Sequence, residues 1–440
     1  MKTRKKFTKK ISINKLFNVR YSFTSENITH YSGLALVSRF LNHHNFVAKL
    51  ENMFPTIKHN ATKFSTAQVL ISYIFAFISG ISRTSRVSRF THDPLVKRLL
   101  NLPKGINKDA LAFRLKKLGS KGAEKLRQFH LRFNSNFLKM SGLTKITLDA
   151  DSTYLLTYGN QEGAEKSYNP HKKGAKTYHP LLIFLSDLKI LFHSKFRKGS
   201  AYTSKGIIQL LKEVNEALPK QIKKVFFRGD SGFFSLEIIS YIRDILKWDY
   251  LIKVKLRNLE KLLQQQQWEP VKGHKKIWQC TFEYVTVNAR EKITIKAIRK
   301  LVKEEEIDFF GQKIKYPVYE YAAYVSNLDL EPYKLHKKYT RRATSETWIE
   351  QVKSQLMAGK TFTRQFDAND ILWQLSVWAY NISVMMRWKK KKLWKLEHAT
   401  FRDLIINIGG KIVYTARQWH VKMPKTYLYK DDWIKLAQIT

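Results

Sequence analysis

Between residues 143 and 256 two periodicities alternate in one order, and that order leaves few folds open. Ile146-Thr147-Leu148-Asp149-Ala150-Asp151-Ser152-Thr153 has period two, the repeat of a strand. Apolar strands follow over 181–185 and 190–196, joined by the turn Ser186-Asp187-Leu188-Lys189. Ile207, Leu210, Leu211, Val214 and Leu218 then share one helix face, which Pro219 stops. An apolar strand beginning at Lys223 runs into Arg228-Gly229-Asp230-Ser231-Gly232-Phe233, an aspartate in a tight turn. A helix over 236–246 and a strand over 250–256 complete the series. The class is α/β, with a mixed five-stranded sheet.

A meander of three strands, then helix, strand, helix, strand, is the ribonuclease H-like order. In that fold the first and fourth strands are neighbours, so Asp151 is expected beside Asp230. Asp149 and Asp151 point to the same side of their strand, and two carboxylates there need a partner; a bound cation is one answer. Strand periodicity does not separate the two. A third carboxylate stands at Glu346 in the stretch 338–353, which has no Gly or Pro and reads as a helix. At about 100° per residue, Tyr339, Arg342, Glu346 and Lys353 share a face roughly 60° wide. A carboxylate among a phenol, a guanidinium and an ammonium suits metal and phosphate together. A solvated helix face would carry the same residues.

Charge narrows the partner. Eighty Lys and Arg against 35 Asp and Glu give +45, and the excess runs through most of the 440 residues. That spread implies a polyanion, with DNA or RNA ahead of a membrane surface. The apolar run 70–81 is too short to span a bilayer and reads as a buried helix. One cysteine, Cys280, excludes an internal disulfide framework and a multi-cysteine zinc site. No signal-peptide apolar region follows the basic start, and a soluble chain in a reducing compartment is expected.

Outside the 143–256 region the reading is coarser. Lys2, Arg4, Lys5, Lys6, Lys9 and Lys10 form a basic arm. Ser65-Thr66-Ala67-Gln68 opens a helix over 66–79, Asp93-Pro94 reads as a turn, and a short helix covers 95–100. Asn107 caps a helix ending at Gly119, with Leu111, Leu115 and Leu118 inward and Arg114, Lys116 and Lys117 outward. Helix, turn and basic helix is compatible with a helix-turn-helix, and equally with any small basic bundle. A basic loop holds Lys172, Lys173 and Lys176. Period-two runs over 282–287, 292–296 and 318–321 indicate an antiparallel β insertion. Asp367-Ala368-Asn369-Asp370 caps a long apolar helix that runs into Lys389–Lys392, flanked by Trp388 and Trp394. The lysine run reads as a solvated face or a nucleic-acid contact.

Several motifs in one order carry a family resemblance. They are Leu148-Asp149-Ala150-Asp151-Ser152-Thr153, Gly159-Asn160-Gln161-Glu162-Gly163-Ala164, Ser167-Tyr168-Asn169-Pro170, Tyr178-His179-Pro180-Leu181-Leu182, Arg228-Gly229-Asp230-Ser231-Gly232-Phe233-Phe234, and Tyr339-x2-Arg342-x3-Glu346-x6-Lys353. The chain resembles the DDE transposases of bacterial insertion sequences, the IS-four-like superfamily with its Tyr-Arg-Glu-Lys signature, and within it the IS-thirteen-eighty-like branch. Thr347 stands where the family usually has Asn, and Ala150 where a larger aliphatic is common.

The resemblance implies catalytic and metal-binding roles for Asp151, Asp230 and Glu346. The family pattern Asp-x-Thr favours Asp151 over Asp149, which becomes a support or stand-in ligand. Three such carboxylates would hold two Mg²⁺ ions about 3.5–4 Å apart, with Mn²⁺ as a substitute. It further implies that Tyr339, Arg342 and Lys353 hold transposon-end phosphates; the basic helix and loop themselves add Arg114, Lys116, Lys117, Lys172, Lys173 and Lys176 as expected DNA contacts. Trp268 and Trp278 are candidates to receive a flipped base, or else packing residues. The expected activity is cut-and-paste transposition through hairpin ends, with double-stranded DNA as partner, a homodimer on DNA, no membrane and a cytoplasmic, nucleoid-associated location. A ribonuclease H-like nuclease without strand transfer, or a non-catalytic DNA-binding descendant, are the alternatives. The expected layout is a helical DNA-binding region (1–140), a split catalytic core (141–256 and 336–390), a β-rich insertion (257–335) and a basic, helical C-terminal region (391–440).

Overall fold

The computed structural model describes residues 22–55, 64–166, 174–285, 292–309, 312–359 and 363–438. The basic arm at 2–10 and the motif at 167–170 lie outside them.

The three meander strands are Lys145–Ser152, Leu181–Leu185 and Ile190–Lys195. The turn after the second is a 3₁₀ turn, closed by Lys189 at φ 55°. Helix Ile207–Ala217 crosses over to strand Lys224–Gly229, which runs parallel to Lys145–Ser152. Parallel neighbours require such a crossover. A second crossover, Leu236–Ser240 continuing as a π turn over Tyr241–Ile245, leads to Asp249–Lys253, again parallel. The order across these five is Asp249–Lys253, Lys224–Gly229, Lys145–Ser152, Leu181–Leu185, Ile190–Lys195. The first strand thus lies between the second and the fourth.

The sheet does not stop at five strands. Gln312–Ser326 pairs antiparallel with Asp249–Lys253, and Lys292–Phe309, Ile277–Val285 and Glu269–Pro270 follow outward, giving nine among the described residues. The β insertion therefore extends the core sheet instead of standing apart. Its long hairpin outruns the period-two signal because Lys303, Glu304, Glu305 and Glu306 interrupt the alternation while the backbone pairing continues.

Helix Phe366–Arg387 is buried almost all round, packed against helices Thr66–Ile78 and Lys108–Ser141 and strand Ile190–Lys195. Trp378 is at its centre, with Phe46, Phe133 and His130 at 4.7, 5.0 and 4.6 Å between ring centres. The helix starts at Phe366 after Gln365, so 367–370 form its first turn and not its cap. Asn369 there is buried and donates to the Tyr178 hydroxyl at 2.9 Å.

The N-terminal helices follow their local signals closely. Ser65 and Gln68 make a reciprocal capping box on Thr66–Ile78. Asp93 caps Pro94–Leu99, accepting from the N–H groups of Leu95 and Val96, so Asp93-Pro94 is a helix start and not a turn. Asn107 caps Lys108–Ser141, which breaks at Gly119 (φ 55°) and then resumes.

The last residues are not purely helical. Gly410–Thr415 and Gln418–Lys422 form a hairpin, and Ile28–Thr29 joins it as a third strand. The lysine run before it is partly engaged: Lys392 pairs with Asp432 at 2.7 Å, and the Lys390 ammonium donates to the Lys435 carbonyl at 3.0 Å. No helix among the described residues is long and apolar enough to cross a membrane.

Candidate active site

Parallel pairing sets the site. Asp149 is in register with Arg228 and Ala150 with Gly229, so Asp151 and Asp230 each follow the last paired residue of adjacent strands. Both carboxylates therefore emerge at the same C-terminal strand ends. Asp151 is buried, and its Oδ1 accepts from the Ser152 N–H at 2.8 Å. Asp230 Oδ1 accepts from the Gly232 N–H at 2.8 Å, which fixes the turn that follows the strand.

Asp149 is not equivalent to Asp151. Arg228 grips it with both forks, Nε to Oδ1 at 2.6 Å and Nη2 to Oδ2 at 2.8 Å, and the Ser186 hydroxyl donates to the same Oδ2. Both oxygens are committed and the residue is fully buried. Its contacts make it a brace between the two strands, in keeping with the support role.

The stretch 338–353 is helical but not one uniform helix. It comprises the end of Pro332–Thr340, a 3₁₀ turn Arg341–Ala343, helix Thr344–Glu350 and a π turn Gln351–Gln355. A tighter turn and a wider turn move the register in opposite senses, so a face read at 100° per residue is not kept along its length. Trp348 anchors the segment on the sheet, 5.7 Å from Phe184.

Arg342 turns inward. It is 6% exposed, and its Nη2 lies 2.7 Å from Asp151 Oδ2 and donates to the Ala150 carbonyl at 3.0 Å. Tyr339 packs on Tyr324 with ring centres 4.9 Å apart. Burial pushes its phenol up to about 12, while Arg342 beside it pulls the other way. Glu346 is exposed and Lys353 half-buried. Asp151 is raised to about 6, first by burial; Arg342 opposes the rise, and the charges of Asp230 and Glu346 add to it. All three carboxylates thus act on one electrostatic site.

Among the described residues, no three His, Cys, Asp or Glu side chains close on one metal-sized point. The expected tight cluster is therefore not formed: Arg342 takes one oxygen of Asp151, and Glu346 remains exposed. The chemistry of the donors still fits a divalent cation. A buried carboxylate pushed up by like charges gains most from a hard cation with oxygen ligands.

The other expected contacts are dispersed. Lys116 and Lys117 are exposed, whereas Arg114 folds back to donate to the Phe64 carbonyl at 3.0 Å. Lys176 donates to Asn160 at 2.9 Å, and Lys172 and Lys173 lie outside the described residues. Trp268 and Trp278 flank the Arg299 guanidinium at 5.0 and 5.2 Å, with Tyr319 at 4.6 Å. Trp278 sits four strand positions from Lys224–Gly229, about 19 Å at roughly 4.8 Å per strand. Within one chain that spacing holds Trp278 away from the strand that leads into Asp230.

Two supports were not singled out from sequence. Arg228 stands two residues before Asp230 on a strand buried by neighbours on both sides, and a charge in that position needs a partner; that was the available signal. His179 bridges the Ala201 carbonyl (Nδ1, 2.5 Å) and the Ser152 hydroxyl (Nε2, 2.9 Å). A carbonyl only accepts, so Nδ1 carries the proton and Nε2 receives the serine hydroxyl. Burial holds the ring below its usual range and keeps it neutral.

The sequence matches the family described as Transposase DDE domain group 1 over residues 11–439. No curated protein matches it. A piggyBac transposase, solved by cryo-EM as a synaptic complex with hairpin DNA, is similar at 12% identity and TM-score 0.45, covering 87% of this chain and 82% of that one. Because the family match spans nearly the whole sequence, this chain belongs to the DDE-domain transposases of that group.

Proposed function

We propose that the chain binds the terminal inverted repeats of an insertion sequence and carries out their cleavage and strand transfer on a ribonuclease H-like core. The observation that carries this reading is the parallel register that sets Asp151 and Asp230 at adjacent strand ends. Asp151, Asp230 and Glu346 would hold the divalent cations, Mg²⁺ or Mn²⁺. When bound, these supply a Lewis acid for the phosphoryl oxygen and an activated water or 3′-hydroxyl. The rest falls to the protein. Arg228 and Asp149 fix the two strands, and Arg342 balances the Asp151 charge. Lys353 meets a phosphate of the DNA end, Tyr339 and Arg342 brace the strand end behind it, and the +45 surplus binds the duplex, with two chains joined on it. Hairpin ends and the IS-four-like, IS-thirteen-eighty-like affiliation belong to the same proposal.

The test is excision from a plasmid bearing the gene with its flanking DNA. With Mg²⁺, the full chain should release the element and join it to target DNA. Cleavage without joined product would leave a nuclease, and no metal-dependent cleavage would sink the reading.

A cation at this site should also stabilise the fold. At pH 7.5, Mg²⁺ at about a hundred times its Kd should add about 2.7 kcal/mol, read by thermal unfolding. Asp151 keeps its proton up to about pH 6 when folded, against an ordinary value of 3.8. The folded chain therefore binds more protons between those values, and raising pH through that window costs stability. The cation offsets the charge that appears, so its benefit should shrink below pH 6. An equal Mg²⁺ effect at pH 5 and 8 would place the ion elsewhere.

A further inference from the structure

The acid site leaves the far end of the chain without a role. Residues 404–430 contain no Asp or Glu, yet carry Lys411, Arg417, Lys422, Lys425 and Lys430. Their hairpin holds an exposed aromatic pair: Tyr414 and Trp419 are cross-strand partners, 57% and 45% exposed, with ring centres 4.9 Å apart. Arg98, from helix Pro94–Leu99, stacks on Trp419 at 4.4 Å, and Lys97 lines the same shallow groove.

Two features of the hairpin work against its own stability. Its two-residue turn is Ala416-Arg417, both at positive φ (49° and 59°), where Asn-Gly would be favoured. Lys411 and Lys422 are directly opposed, and like charges in that relation are unfavourable. Among the described residues, Lys411 has an acidic partner, Glu26, and Lys422 has none. A strained arginine at a ribbon tip, two opposed lysines and an aromatic ledge are accounted for by an anionic partner with apolar sugar surface.

We infer that the Gly410–Thr415 and Gln418–Lys422 hairpin, with Lys97 and Arg98 beside it, is a second contact surface for duplex DNA. A two-stranded ribbon fits the major groove. Arg417 at the tip, Lys422 and Arg98 meet the phosphates that border the groove, and Tyr414 and Trp419 pack on deoxyribose. The surface shares no residue with the acid site, and it rests on the transposase reading only for the identity of the partner.

The test is equilibrium binding of the full chain to a random-sequence duplex at several salt concentrations, with chelator present so that no cleavage intervenes. Arg417→Gly with Lys422→Gln should lower affinity about tenfold and reduce the slope of log K against log[salt] by about 1.8, for two lost phosphate contacts. Because glycine suits the tip, the same variant should unfold no earlier than wild type. Trp419→Ala should lower affinity several-fold with the slope unchanged. Lys212→Gln with Lys220→Gln removes equal charge beside helix Ile207–Ala217 and should keep the wild-type slope. An unchanged slope in the hairpin variant, or an equal drop in the control, overturns this inference alone. A wild-type chain that does not bind duplex DNA overturns it together with the functional reading.

Discussion

Arg228→Met should lower the unfolding free energy by about 3–5 kcal/mol, the range for leaving one member of a buried pair uncompensated. Asp149 is fully buried, and its two oxygens lie 2.6 and 2.8 Å from Arg228 nitrogens. Losing the guanidinium leaves a charge with only the Ser186 hydroxyl to answer it. The same arginine donates from Nη1 to the Lys338 carbonyl at 2.7 Å, so the segment leading to Glu346 also loses an anchor. Denaturant unfolding measures the loss. Asp149→Asn combined with Arg228→Met should recover much of it, since no charge is then left buried. A single-variant loss below about 1 kcal/mol would mean that water reaches the pair.

Asp151→Asn should reduce metal-dependent cleavage about 10²–10³-fold while DNA affinity stays within about twofold. In the proposed mechanism affinity comes from the +45 surplus spread over the chain, and one residue changes it little. In the same reading cleavage depends on a charge at one strand end, where removing a single preorganised electrostatic partner costs about 10²–10³ in rate. Folding should change little, because burial and Asp230 oppose the Asp151 charge while Arg342 favours it. Glu346→Gln, on an exposed residue, should give the same split between cleavage and binding. Undiminished nicking by both variants would move the chemistry away from these strands.

The adjacency of Asp151 and Asp230 could be read from the sequence because it follows from element order, and element order follows from periodicity. Caps were legible for the same local reason, as at Ser65 and Asn107. The orientation of Arg342 was not. Helix geometry places a residue on a face but says nothing about what that face meets, and a short 3₁₀ segment altered the register as well. The two aspartates at 149 and 151 share a strand face, so periodicity left them equivalent. Arg228, a partner 79 residues away along the chain, distinguishes them. Alternation marks the insertion as strands, but its pairing to Asp249–Lys253 is an edge contact without a periodic signature. Hairpin length was lost where three glutamates replaced alternation.

The pairing of Ile28–Thr29 with Gly410–Lys411 has a consequence in time. Translation at roughly 5–20 residues per second brings the second strand out of the ribosome some 20–80 s after the first. Until then Thr29 lacks its strand partner, and the N–H groups of Ser32 and Gly33 lack the carbonyls of Ile408 and Ile406 that receive them. The amino-terminal helices therefore wait on the carboxyl end for their last hydrogen bonds. Ribosome-bound or prematurely terminated chains should remain protease-sensitive near residue 30. A finished fold, and with it the ability to act on DNA, is reserved for polypeptides synthesised past residue 411.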